Sequence, residues 1–157
     1  MDNKIVKQAH NRLIKKGLKL AIAESCTGGL LASMLTELSG SSKYFILGLV
    51  TYSNECKTSL LKIPAALIAK KGAVSYEVAE LMARNARILA KADLGVGITG
   101  IAGPAGGVAG KPVGTVIIAV NSKSKQLYQK FLFKGNRSSI RKQSALKALE
   151  LLLDICL

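Results

Sequence analysis

The sequence predicts an α/β domain, specifically a three-layer α/β/α sandwich around a mixed sheet of about five strands. Three observations carry that expectation. Short apolar runs alternate with amphipathic helical segments through the first two-thirds of the chain, the pattern of parallel strands joined by helices. Two further strand-like runs, 113–121 and 126–134, are joined by the polar turn Ser122-Lys123-Ser124-Lys125, which makes them an antiparallel pair. With 157 residues, 49% hydrophobic and 20% charged, the chain has the size and apolar content of one domain with a real core. No internal repeat or linker divides it, so residues 1–157 are expected to fold as a single domain.

The elements follow in order. Residues 4–16 read as a helix, because Ile5, Val6, Ala9, Leu13 and Ile14 share one face and lysines fill the other. Gly17 is a natural stop. Residues 18–23 form a short apolar run suited to a buried strand, which ends in Glu-Ser-Cys-Thr-Gly-Gly before a helix over 30–38. Gly40-Ser41-Ser42 breaks that helix, and 44–52 has strand character. A short helix over 54–61 follows, and another opens at Pro64, where proline suits the first turn. Ser75 is the expected N-cap of a long helix reaching residue 92, with Val78 its first inward residue. Residues 94–99 are the next strand and feed a glycine-rich loop over 100–114. After the strand pair, a closing helix over 137–155 carries Ile140, Leu146, Leu149, Leu152 and Leu153.

Composition narrows the function classes. No apolar run approaches the ~20 residues of a membrane-spanning helix. The opening Met-Asp-Asn-Lys-Ile-Val-Lys-Gln lacks the apolar core of a signal peptide. A balance of 23 Lys plus Arg against 9 Asp plus Glu gives +14, which raises nucleic-acid binding as a reading to test. Aromatics are only 4% with no Trp, however, and the lysines are spread from Lys4 to Lys147. Stacking platforms and a basic arm are thus both missing, which disfavours nucleic acid and leaves a general basic bias or a taste for phosphorylated small molecules. Cys26, Cys56 and Cys156 are far apart and lack CxxC spacing, as expected of reduced thiols in a cytoplasmic protein. With His10 the single histidine, a structural zinc site is not expected.

Two glycine patterns mislead. Gly95-Val-Gly97-Ile-Thr-Gly100 spells G-x-G-x-x-G, but the glycines lie on the strand instead of opening a helix after it. Gly110-Lys111 resembles the end of a phosphate loop, yet Gly106 is one position out of register and Pro112 stands where Ser or Thr would hold Mg²⁺.

Chemistry is expected where polar, glycine-rich segments follow strands, at 24–29, 51–57 and 99–107, because the carboxyl ends of parallel strands form the ligand crevice. Ser25 sits where strand turns to helix and is either a helix N-cap or a nucleophile. Thr27 competes for the cap, which would free Ser25, and Gly28 and Gly29 let a ligand approach amides at a positive helix end. A nucleophilic serine needs a base, and His10 reads as a packing residue of the first helix. The candidate is Lys57, which is otherwise an ordinary solvated lysine; as a base it needs its proton affinity reduced by burial or neighbouring charge. Cys26 is the rival nucleophile, without an imidazole partner. Thr99 either relays a proton or simply finishes a strand.

Taken together, Ala-Glu-Ser-Cys-Thr-Gly-Gly at 23–29, Val-Thr-Tyr-Ser-Asn-Glu-Cys-Lys at 50–57, Gly-Ala-Val-Ser at 72–75, Thr-Gly-Ile-Ala-Gly-Pro at 99–104 and Lys-Pro-Val-Gly-Thr-Val at 111–116 resemble the CinA C-terminal domain family. The motifs occur in the family's order and cover nearly the whole chain. The resemblance implies a nicotinamide-nucleotide amidase, hydrolysing nicotinamide mononucleotide to nicotinate mononucleotide and ammonia. It implies a dyad of Ser25 and Lys57, with the Thr99 hydroxyl as the third catalytic group. It places Thr27, Gly28, Gly29, Tyr52, Gly100 and Gly103 around the substrate, and Arg137 and Arg141 at its phosphate. The family's Gly-Asp-Arg reads Gly135-Asn136-Arg137 here. No metal or organic cofactor is implied. A homodimer is, with slight independent support from the apolar tail at 151–157. Longer family members carry an additional N-terminal domain, whose activity is not inferred for this chain. The competing readings are a competence-associated or nucleic-acid-binding module without turnover, and an amidase for other phosphorylated metabolites.

Overall fold

The structure, a computed structural model, describes residues 3–156. Among them the chain forms α1 (Asn3–Lys16), β1 (Leu20–Glu24), α2 (Leu30–Thr36), β2 (Phe45–Val50), α3 (Asn54–Leu61), α4 (Ala65–Lys71), α5 (Tyr76–Leu89), β3 (Leu94–Gly100), β4 (Thr115–Asn121), β5 (Gln126–Leu132) and α6 (Arg137–Ile155). The five strands make one sheet in the order β2-β1-β3-β4-β5. The first three are parallel to one another, and β4 and β5 each run antiparallel to the strand before them. The expected α/β sandwich with a mixed sheet is what forms. Strand and helix ends differ from the sequence expectation by one to three residues, most at 90–92, which leave the helix.

Side-chain burial explains the order. The central strands β1 and β4 are buried throughout, and β3 almost so, as their unbroken apolar runs require. One face of the sheet packs against α1, α2 and α6 through Leu13, Leu31, Leu35, Ile22, Val96, Ile118, Leu149 and Leu152. The other face packs against α3, α4 and α5 through Ala21, Ala23, Leu61, Ile63, Met82 and Ala86. Leu151, Leu152, Ile155 and Cys156 are buried in the first of these cores. The apolar end of α6 is thus spent inside the domain and lends no support to a dimer; Leu157 lies outside the described residues.

The misleading G-x-G has a packing role. A Cβ on Gly95 would lie 2.0 Å from the Ala83 carbonyl oxygen, and one on Gly97 would lie 2.4 Å from that of Ala79. α5 therefore rests its backbone directly on β3, helped by its own alanines at 79, 83 and 86, all fully buried. This contact fixes the start of α5 beside the carboxyl end of the sheet. Gly97→Ala should cost at least about 2 kcal/mol of stability, the upper part of the range for overpacked cores. Chemical denaturation checks this, and an unchanged midpoint would show that α5 can shift away.

Candidate active site

Register brings three strand ends level. Glu24 pairs with Val50 on one side and Ile98 on the other, so Ser25 and Thr51 leave the sheet level with Thr99, which stays in β3 opposite Ile117. Two backbone bonds hold that line: Ser25 N–H donates to Ile98 O at 3.0 Å, and Thr51 N–H to Glu24 O at 2.9 Å.

Lys57 reaches this line from α3. Ser53 caps that helix by accepting the Cys56 N–H at 3.1 Å. The cap starts α3 directly after β2 and sets Lys57 one turn in, with its side chain turned under the strand ends. It is 1% exposed. Its Nζ lies 3.1 Å from Ser25 Oγ, 2.7 Å from Thr51 O and 3.4 Å from Tyr52 O. Burial, opposed by the nearby Cys26 and Cys56 thiols, holds its pKa below the ordinary lysine value. A neutral amine has two N–H donors and one lone pair. Two carbonyls and one serine hydroxyl match that set.

The Ser25 hydroxyl caps no helix. α2 is capped by Glu24, which the sequence reading left unassigned: its Oε2 accepts the N–H of Gly29 and Leu31, each at 3.1 Å, and its Oε1 that of Ala32 at 2.9 Å. Glu24 is 1% exposed, and a carboxylate at a helix N-terminus meets both orphan amides and the positive dipole end. Thr27 is not the cap either; its Oγ1 is buried without a partner among the described residues. A glutamate at the strand end, five residues before the glycine that opens the helix, was the available cue.

Ser25, Cys26, Lys57, Thr99, Tyr52, Gly100, Gly103 and Arg137 line one open cavity of about 280 Å³, with Asn54, Ala73, Val74 and the loop 101–106. Gly103 needs its positive φ of 75°, and a Cβ there would strike Val113 Cγ1 at 2.4 Å. Thr99 is a wall residue whose hydroxyl donates to Ala73 O at 2.9 Å. The guanidinium of Arg137 spans the mouth, donating to Gly103 O at 2.7 Å and to the Tyr52 hydroxyl at 2.8 Å. Cys26 lies on the wall, but burial pushes its thiol up to about 11, so it is no thiolate near neutrality.

Thr27, Gly28, Gly29 and Arg141 are not on the cavity. Gly28 N–H donates to Ser25 O at 3.0 Å, and the Gly29 amide is taken by Glu24, so neither faces a ligand. Arg141 holds the Thr27 carbonyl through Nη2 at 2.7 Å and Nε at 3.3 Å, behind the turn that carries Ser25. The two arginines one helical turn apart thus divide: one is at the cavity mouth, the other clamps the loop. His10 rests edge-on against Tyr44, with centroids 5.4 Å apart, as a packing residue.

These features define an α/β domain with a buried serine–lysine pair at the carboxyl ends of parallel strands. The chain matches the CinA C-terminal domain over residues 2–156 and belongs to that family. A CinA-like protein of Geobacter sulfurreducens is 50% identical over 149 residues, which are 95% of this chain and 36% of that protein. The chain spans about a third of the length of the curated relatives it matches. Among solved structures, the competence/damage inducible protein CihA from Agrobacterium tumefaciens is similar with a TM-score of 0.95 at 37% identity, covering 98% of this chain and 94% of that one. A competence-damaged protein (CinA) superfamily protein from Escherichia coli gives 0.93 at 35%, covering 98% and 89%.

Proposed function

We propose that this domain is a nicotinamide-nucleotide amidase, converting nicotinamide mononucleotide to nicotinate mononucleotide and ammonia through Ser25 and Lys57. The observation that carries the reading is the buried Lys57 amine 3.1 Å from Ser25 Oγ. The substrate follows from the family resemblance and is supported by an arginine at the mouth of a polar cavity.

Neutral Lys57 takes the Ser25 proton as Oγ attacks the carboxamide carbon. The oxyanion is met by backbone amides. Those of Gly28 and Gly29 are spent, which leaves Cys26 and the loop 102–106 on the cavity wall as donors. The C–N bond breaks as the Lys57 ammonium returns its proton to the leaving nitrogen, releasing ammonia. A water molecule then gives a proton to Lys57 and its hydroxide to the acyl carbon, and the ester to Ser25 opens as Lys57 returns that proton to Ser25 Oγ. The carbonyls of Thr51 and Tyr52 hold the amine in place throughout, and Thr99 shapes the pocket wall beside it. No step calls on a metal or organic cofactor. Arg137 is the residue for the substrate phosphate, exchanging its two neutral acceptors for charged oxygens.

The same reading includes a homodimer in the cytoplasm. Its support is the edge strand β2, Phe-Ile-Leu-Gly-Leu-Val, which has no charged residue and leaves Ile46 and Val50 about half exposed. Light scattering should find twice the chain mass at micromolar concentration; a monomer there removes the dimer.

Ser25→Ala and Lys57→Ala should each abolish most ammonia release from the mononucleotide, without additivity in the double variant, because the pair acts as one unit. Lys57→Arg keeps the charge but cannot surrender its proton, so it should be equally dead. The wild-type rate should rise with pH through a limb below the ordinary lysine range, since the neutral amine is the active form and burial lowers its pKa. Full activity in Ser25→Ala sinks the assignment. Steep salt-dependent DNA binding with no ammonia release would support the interaction module instead.

The arginines should separate by substrate. Arg137→Ala should weaken use of the mononucleotide about tenfold or more, equivalent to ~1.4 kcal/mol, and spare the phosphate-free nucleoside. Arg141→Ala should lower both alike, because it acts through the Thr27 turn. The reverse pattern would move the phosphate to Arg141.

A further inference from the structure

A second cavity, of about 220 Å³, opens on the far side of the segment 72–75 from the active site, and Val74 lines both. Its walls are Lys71, Lys111 and Lys130, the N-terminus of α5 at Ser75–Glu77, and Thr115 and Ile117 of β4. The charges do not cancel. Lys71 pairs with Glu77 at 2.9 Å, on the rim. Lys111 Nζ donates to the Lys71 carbonyl at 2.9 Å and Lys130 Nζ to that of Gly110 at 3.5 Å. Among the described residues neither has a carboxylate partner, so the cavity keeps two positive charges in excess.

Thr115 gives an independent sign of a missing acceptor or donor. It is 1% exposed, and its Oγ1 has no hydrogen-bond partner among the described residues. Strand alternation puts its side chain on the same face as Ile117, which packs under α5, and so toward this cavity. Leaving a buried hydroxyl unpaired is costly, and such groups ordinarily have a partner. Two other buried hydroxyls share this state, Thr27 and Thr51, and both belong to the segments that carry Ser25 and Lys57. The third sits here, at the other cavity. The Tyr76 amide likewise has no acceptor among the described residues, and it points out of the first turn of a 14-residue helix, where anions are favoured. Tyr76 itself lines the cavity and meets Tyr128 edge-on at 5.4 Å.

We propose that this cavity is a phosphomonoester site, separate from the amidase centre, in which Lys111 and Lys130 supply charge, the α5 N-terminus supplies an amide, and the Thr115 hydroxyl is satisfied by the ligand. The site does not depend on the amidase reading. Its wall, however, includes Val74, next to Ala73, whose carbonyl takes the Thr99 hydroxyl, so a bound anion adjoins the active cavity through one shared strip of chain.

The test is a titration of isotope-labelled protein with inorganic phosphate and with ribose 5-phosphate, followed by amide chemical shifts at constant ionic strength. Saturating shifts are expected at Tyr76, Glu77 and Thr115, unchanged in Arg137→Ala and Ser25→Ala. Lys130→Gln together with Lys111→Gln should weaken the apparent affinity about tenfold or more, as loss of charge-assisted contacts implies. Thr115→Val, which keeps volume and removes the hydroxyl, should weaken it without unfolding the chain. Shifts that follow chloride equally well, that fail to saturate, or that vanish with Arg137→Ala would overturn the proposal. Unaltered affinity in the Lys111 and Lys130 double variant would do so as well.

Discussion

The constraint on which the rest of this domain depends is the burial of one lysine. Lys57 is 1% exposed in a chain whose other lysines are mostly solvated, and an ammonium there would lack both water and a counter-ion. The structure answers with geometry. α3 begins immediately after β2 because Ser53 caps it, and that start delivers the amine to two carbonyls and Ser25 Oγ. Removing the cap, the level strand ends or the Thr51 carbonyl would each leave the amine badly housed. Burial there holds the amine's proton affinity below that of an ordinary lysine.

Around that amine the fold separates support from contact. Glu24 never reaches the cavity, yet its carboxylate binds three amides of the α2 start and fixes the turn in which Ser25 stands. Arg141 fixes the same turn from the other side through the Thr27 carbonyl. Together they clamp five residues between β1 and α2 with a buried anion and a half-buried cation that do not pair with one another. Ser25 therefore sits on rigid scaffolding, while Arg137 and residues 104–106 face solvent.

The elements were legible because their causes are local. Alternating apolar runs mark the strands, and Ser75 accepts the N–H group expected of an N-cap, as Ser53 and Asn136 do at the starts of α3 and α6. The strand-end rule assigns Ser25, Lys57 and Thr99 to one crevice from sequence alone. What escaped is what depends on direction. Arg137 and Arg141 are neighbours on one helix, but their side chains diverge to opposite sides of the Ser25 turn, and spacing alone carries no information on that. In sequence Ser25 and Thr27 compete for the first amides of α2; only the actual path of the turn gives them to the Glu24 carboxylate. Ala73 and Val74 form part of the cavity through a tertiary crossing of α5 over β3, which no local pattern reports.

That crossing has a dynamic consequence. Where a helix backbone touches a strand with no side chain between them, there is no compliant layer to absorb relative motion, and the two elements move as one body. Opening of β3 then requires lifting α5 as well, so the amides of both should exchange with solvent in a single cooperative event, near the global limit. Slow breathing of the domain is pushed outward, to the glycine-rich loop 101–114 and the edge strands. The two cavities on either side of residues 72–75 thus share a wall anchored to the least mobile part of the molecule, and their common boundary keeps its shape while their rims do not.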